Sequence, residues 1–241
     1  MQHQRGVLFD FDGTLYGDWW LWIATIQVTL QAFQVDITAH DVLAKARSTI
    51  DDHSFVNISG VAVAIARNQG VDREQEVRAA FLSRLDEIMD SAGPGDSLRR
   101  LLARLEEEDF LLGLVTFMRR PRLMSRLDRW EMTDCFKSIM TPEQWSEFKP
   151  SPKPFVKAVE ELGLQPSSVS AVGDEPVDMM GAKAAGLRTI GIPQGFFSED
   201  ELRKAGADVI IHSLEELPDA LENAGFLIDQ RNRHESSKPN V

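Results

Sequence analysis

Short apolar runs that alternate with amphipathic helical stripes restrict the fold of this chain more than any other feature. Leu98, Leu101, Leu102 and Leu105 form a helical stripe, and Phe110–Val115 then reads as a buried strand that stops at Thr116. A basic helix follows over Arg119–Trp130, then a weaker strand over Phe136–Met140. Pro154–Leu162 reads as a helix, with proline near its start and Gly163 past its end. Val169–Val172 is a strand ending at Gly173-Asp174, Val177–Ala185 a helix stopping at Gly186, and Thr189–Ile192 a further strand. Val209–Ile211 is a last short strand before a helix around Leu214–Leu221. Such alternation predicts a parallel sheet with helices on both faces.

The first strand stands apart from the others. Val7-Leu8-Phe9 is apolar throughout, as a strand covered on both faces must be. Few strand signals follow it before Phe110. Instead Trp19, Trp22, Ile23, Ile26, Leu30 and Phe33 recur at helix spacing, and Val42, Leu43, Ala46 and Ile50 mark a second helix. The segment around Val61–Ala66 marks a third, and Val77, Phe81, Leu85, Ile88 and Met89 a fourth, before the breaker Gly93-Pro94-Gly95. The tryptophans are most simply a packed face, a stacking role for Trp19 or Trp20 being the lesser reading. The predicted organisation is an α/β core over residues 1–16 and 94–228, with an all-helical insertion over 17–93 after the first strand. The polar residues 229–241 read as a disordered tail.

Charge and cysteine content narrow the function. A net charge of -12 with acids spread along the chain argues against a nucleic-acid or anionic-membrane partner. The single cysteine, Cys135, rules out an intramolecular disulfide and fits a reducing, cytoplasmic setting. No basic-then-apolar leader is expected at the N-terminus, and no apolar run approaches the ~18 residues of a membrane span.

Polar groups follow the strands at one common end. After the first come Asp10, Asp12, Gly13 and Thr14; after the second, Thr116; after a later one, Asp174, with Asp178 a helical turn on. In open parallel sheets ligands bind at the carboxyl ends of strands. Asp10 and Asp12, two apart, point the same way, and stay ionised together only beside a cation unless one keeps its proton. Alone, Asp-Gly-Thr is ordinary turn chemistry and Asp174 a plain helix N-cap with Asp178 favoured by the helix dipole; the two readings of Asp174 hold together if Asp178, rather than Asp174, caps or braces the loop. Convergence from distant parts of the sequence weakens those readings. Carboxylates from two strand ends make an oxygen-only site that suits Mg²⁺ rather than Zn²⁺. Asp51-Asp52-His53 is better read as a solvated connection, with Ser54 as N-cap, than as a metal site. Lys149 sits in Phe148-Lys149-Pro150-Ser151-Pro152, where two prolines predict an extended backbone and a lysine fixed near an anion.

Together, Asp10-Phe11-Asp12-Gly13-Thr14-Leu15, Thr116, Lys149-Pro150-Ser151-Pro152 and Gly173-Asp174-Glu175-Pro176-Val177-Asp178 resemble, in order, the four motifs of the haloacid dehalogenase superfamily. The likeness runs from about Val7 to Leu221 and looks closest to the phosphoglycolate phosphatase-like branch. It implies a Rossmann-like core with a mostly parallel sheet, a helical cap, and Mg²⁺-dependent phosphoryl transfer. Asp10 would be the nucleophile and Asp12 the general acid and base. The metal would be held by the Asp10 carboxylate, the Asp12 carbonyl and Asp174, with Asp178 as ligand or behind the ligands. Thr116, Lys149 and the N–H groups of Gly13 and Phe117 would bind the phosphoryl group.

Asp12 favours phosphate chemistry, because dehalogenases of this superfamily lack a carboxylate there. Lys45, the one lysine in the cap, has no setting suited to phosphonate hydrolysis. Two departures from the family pattern stand out: Phe117 replaces a frequent asparagine, and Tyr16-Gly17-Asp18 is one residue longer than the usual link. The expected function is a phosphatase of a small phosphomonoester, of phosphoglycolate or sugar phosphate type. The alternatives are a phosphosugar mutase with the same nucleophile and a non-catalytic binding protein. The implied partner is a small phosphorylated metabolite, with the protein a monomer or homodimer. Specificity is expected near Arg47 and Thr49–Phe55, with a surface salt bridge the simpler role for Arg47.

Overall fold

The computed structural model describes residues 4–17, 19–49 and 57–222. The expectations for Asp18, Asp51-Asp52-His53, Ser54 and residues 229–241 fall outside them. The core strands are β1 (Arg5–Phe9), β2 (Phe110–Val115), β3 (Ser138–Met140), β4 (Val169–Gly173), β5 (Arg188–Gly191) and β6 (Val209–Ile210). They form one sheet in the order β3-β2-β1-β4-β5-β6, with every pairing parallel. Between β1 and β2 lie α1 (Trp19–Gln31), α2 (Ala39–Ser48), α3 (Ile58–Asn68), α4 (Glu74–Ala92) and α5 (Gly95–Glu107). The remaining helices are α6 (Arg120–Arg129), α7 (Lys153–Leu162), α8 (Pro176–Ala184) and α9 (Glu199–Lys204).

β1 is the centre of the sheet, and the period of two decides what each of its residues meets. Val7 and Phe9 belong to an apolar cluster continuous with α1–α4, including Ile26, Val61 and Phe81. Leu8 faces the opposite layer with Phe155, Val159 and Leu162 of α7. The helical insertion therefore shares a core with one face of the sheet. Among the described residues, no helix is long and apolar enough to cross a membrane.

Three local readings change. β3 starts at Ser138 because Thr133–Cys135 forms a 3-10 turn closed by Phe136 N–H to the Thr133 carbonyl (3.3 Å). The final segment opens as a 3-10 turn over Leu214–Glu216 and continues helical to residue 222. α9 was not expected from the sequence, although a reciprocal cap between Ser198 and Glu201 starts it.

Candidate active site

The strand order reverses beside β1, and the residues leaving β1, β2 and β4 meet at that edge. Asp10 N–H donates to the Val172 carbonyl of β4 (2.9 Å), so the chain stays pinned to the sheet one residue past β1. Thr116 N–H donates likewise to the Met140 carbonyl (3.1 Å), and its hydroxyl oxygen accepts from Met118 N–H (3.1 Å). Asp174 follows β4 directly, and Asp10, Asp12, Thr116, Phe117 and Asp174 all line one cavity of about 700 Å³.

Two glycines shape the pocket around Asp174. Gly13 lies in the left-handed region (φ 84°), and a Cβ there would run into Asp174 Oδ2. Gly195, on the loop after β5, abuts the same oxygen and would collide with it if it bore a Cβ. Thr14 Oγ1 donates to Asp174 Oδ1 (2.8 Å). The expectation that Gly13 N–H binds a phosphoryl oxygen needs correction, because that N–H donates to the Tyr16 carbonyl (2.9 Å).

Lys149 is 4 % exposed and reaches the site from behind. Its ammonium donates to Asp10 Oδ1 (2.8 Å), Asp178 Oδ1 (2.6 Å) and the Val115 carbonyl (3.1 Å), which uses its three protons. The expected extended backbone is instead a turn, with a cis Lys149–Pro150 bond and Ser151 N–H donating to the Phe148 carbonyl (2.9 Å). Phe117 packs its ring 4.8 Å from the Lys149 nitrogen and edge-on to Trp145. Asp178 Oδ2 accepts the Glu175 N–H (3.1 Å) at the start of α8, so both its oxygens are engaged and it braces the loop. Neither Lys149 nor Asp178 is part of the cavity wall.

Burial dominates the electrostatics of the acids. It pushes Asp10 up to about 7, with Lys149 pulling down and Asp178 pushing up. Asp12 rises to about 6 through burial, against the pull of Arg126, Arg122 and Lys149. Asp174 is held well above the usual carboxylate range by burial and by the charges of Asp10 and Asp178. Burial also works against the Lys149 charge, but Asp10 and Asp178 outweigh it and keep the ammonium above the ordinary lysine value. Asp12 Oδ1 is buried and has no hydrogen-bond partner among the described residues.

The rest of the wall comes from the helical insertion. Trp22 of α1, Asn57 and Ile58 at the start of α3, and Phe81, Leu82 and Leu85 of α4 line the cavity, whereas Trp19 and Trp20 do not. Arg47 is tied elsewhere, its guanidinium donating to the Phe196 carbonyl (2.8 Å) and to Glu201 (3.3 Å). Sequence reasoning missed Gly195 and the ion-paired α6 arginines Arg122 and Arg126. The signal for Gly195 was its place just past β5, at the same sheet edge.

The fold and these acids place the chain among known proteins. A model of the haloacid dehalogenase-like hydrolases matches residues 7–192. The chain belongs to that family. Among haloacid dehalogenase-like relatives, it is 30% identical over 231 residues to N-acetylmuramic acid 6-phosphate phosphatase of Pseudomonas aeruginosa, covering 91% of this chain and 96% of the relative. It is 24% identical over 248 residues to phosphoglycolate phosphatase of Salmonella choleraesuis, covering 92% of this chain and 94% of the relative. Its fold is similar to the crystal structure of a putative β-phosphoglucomutase from Thermotoga maritima, with a TM-score of 0.75 at 18% identity over 91% of this chain and 99% of that one. The present haloacid dehalogenase-like hydrolase thus has relatives named for phosphate-ester hydrolysis along nearly its whole length.

Proposed function

We propose that this hydrolase is a Mg²⁺-dependent phosphatase of small phosphomonoesters that works through an aspartyl-phosphate. One observation carries the reading: Asp10, Asp12, Thr116 and Asp174 line a single cavity while Lys149 holds Asp10 from behind. The relatives' names support hydrolysis of a phosphate ester. The mutase alternative has only a likeness of fold behind it.

The residues suit Mg²⁺. Among the described residues, no three His, Cys, Asp or Glu side chains form a ready chelate. Mg²⁺ needs none, since it binds through one or two carboxylates and fills its shell with water and substrate oxygens. Asp10 and Asp174 are buried acids, and the charge of Asp10 raises the proton affinity of Asp174, a crowding of negative charge that a cation would relieve. They and the Asp12 carbonyl would hold the ion, with Asp178 orienting Lys149 rather than ligating. Bound Mg²⁺ would supply positive charge to the carboxylates and to the phosphoryl oxygens.

The protein's own residues then divide the work. The Asp10 oxygen not held by Lys149 attacks phosphorus as the bond to the leaving oxygen breaks. Asp12, kept protonated by burial at mildly acid pH, gives its proton to that oxygen, which makes the unpartnered Oδ1 a donor waiting for substrate. Asp12 next takes a proton from water, the water oxygen attacks phosphorus, and the bond to Asp10 breaks to release inorganic phosphate. Lys149 favours the ionised form of Asp10 against the burial that raises its proton affinity. The insertion α1–α4 forms the far wall and acts as a cap that limits water. Phosphate release from para-nitrophenyl phosphate with Mg²⁺ tests the proposal, and release no greater than that of Asp10→Asn would overturn it.

A further inference from the structure

We infer that the natural substrate is a phosphomonoester of a bulky alcohol, the size of a substituted hexose, that turns an apolar face to α4. Small phosphorylated acids such as phosphoglycolate should be poor substrates. The inference rests on the phosphatase reading and narrows it. The cavity of about 700 Å³ falls in the ~300–1,000 Å³ range that encloses ligands far larger than a two-carbon acid. Asn57 and Ser59 of the insertion also line the cavity, but α4 contributes only the apolar side chains Phe81, Leu82 and Leu85, with Trp22 and Phe196 among the other apolar residues of the wall. Phe81 and Leu85 are buried, so this wall is part of the continuous core and is fixed in shape.

Among the described residues, the arginines that a second negative charge on the substrate would meet are already ion-paired. Two arginines line the cavity, and both are already matched. Arg122 Nε donates to Asp86 Oδ1 (2.7 Å), and Arg119 Nε donates to Glu143 Oε1 (3.1 Å). Glu143 stays ionised, pulled down to about 2 chiefly by the Arg120 backbone N–H. A glycolate carboxylate pushed against Phe81 and Leu85 would lose its water with no charge to replace it. An acyl or ether substituent on a sugar ring would instead bury apolar surface on that wall.

Three primary-alcohol phosphates of increasing bulk test the inference: phosphoglycolate, glucose 6-phosphate and N-acetylglucosamine 6-phosphate, each assayed for kcat/KM with Mg²⁺. We expect the acylated sugar to exceed glucose 6-phosphate by about tenfold and phosphoglycolate by about a hundredfold, the range that pocket contacts reach. Dissociation constants of the same compounds on Asp10→Asn protein should keep that order whether or not the wild type turns them over. That measurement separates failure of the substrate inference from failure of the phosphatase reading. Leu82→Lys, at a half-buried position, should lower kcat/KM for the acylated sugar about tenfold and raise that for phosphoglycolate, with the thermal melt checking that it folds. Equal or better use and binding of phosphoglycolate by the wild type would overturn the inference.

Discussion

Lys149 Nζ lies 2.8 Å from Asp10 Oδ1, with its other two protons on Asp178 and the Val115 carbonyl. The lysine is thus committed to holding a carboxylate that burial would otherwise leave protonated. Lys149→Met should raise the proton affinity of Asp10 and cut turnover by about 10²–10³, as loss of one electrostatic donor does elsewhere. The buried Asp10 and Asp178 would lose their shared partner, at a cost of roughly 3–5 kcal/mol in stability. Denaturant unfolding and a steady-state assay check the two halves separately.

The same acids make stability depend on pH. Asp10 and Asp12 have folded values of about 7 and about 6 against a carboxylate value of 3.8, so the folded state holds protons that the unfolded state releases. Stability therefore falls as pH rises from near 4 through 7. With chelator present the Tm should drop across this window, and Mg²⁺ should flatten the drop. An Asp10→Asn, Asp12→Asn double variant that keeps the full slope would refute the assignment.

Arg126 offers a finer test. It is 2 % exposed, donates to Asp86 Oδ1 of α4 (2.7 Å), and is the strongest of the cations that pull Asp12 down. Arg126→Met should move the Asp12 limb of the kcat/KM–pH profile to higher pH, because losing a nearby cation raises a carboxyl's proton affinity. Asp86 keeps Arg122 in this variant, so the link between α4 and α6 survives. An unmoved limb would mean that Asp12 is not the group titrating.

These effects differ in how legible they were. A strand covered on both faces reads as a near-continuous apolar run, so the ends of β1, β2 and β4 could be read directly, and Asp10, Thr116 and Asp174 stood just past them. The roles of Gly13 and Lys149 were harder. Whether a backbone N–H is already taken, as Gly13's is by Tyr16, depends on how the turn closes. The two prolines around Ser151 suggested an extended chain, but Ser151 N–H turns back to donate to the Phe148 carbonyl. The Arg126–Asp86 pair joins residues 40 apart in sequence and becomes visible only once α4 lies against α6.

Gly195 carries a prediction that no strand pattern suggests. Its backbone lies outside the left-handed region, so alanine there meets only the collision with Asp174 Oδ2. Gly195→Ala should fold, displace that carboxylate, and raise the Mg²⁺ concentration for half-maximal activity by roughly 10–100-fold, as loss of a ligand's support does. Titrating activity against Mg²⁺ measures this, and an unchanged midpoint would remove Asp174 from the proposed ligands.

The division of labour between Asp10 and Asp12 makes a last prediction, because each should fail at a different step. Para-nitrophenolate leaves without a proton, so an enzyme lacking the general acid can still transfer the phosphoryl group from it. Asp12→Asn should therefore release a burst of nitrophenol close to one equivalent and then stall, since no base remains to activate water. Intact-protein mass spectrometry of the stalled enzyme should find one phosphoryl adduct, lost on treatment with hydroxylamine as an acyl phosphate is. Asp10→Asn should give neither burst nor adduct, although its cavity still contains Asp12, Thr116 and Asp174. Identical behaviour of the two variants would mean that the aspartates act as one unit, contrary to the separate settings in which Lys149 holds Asp10 and Asp12 Oδ1 has no partner among the described residues.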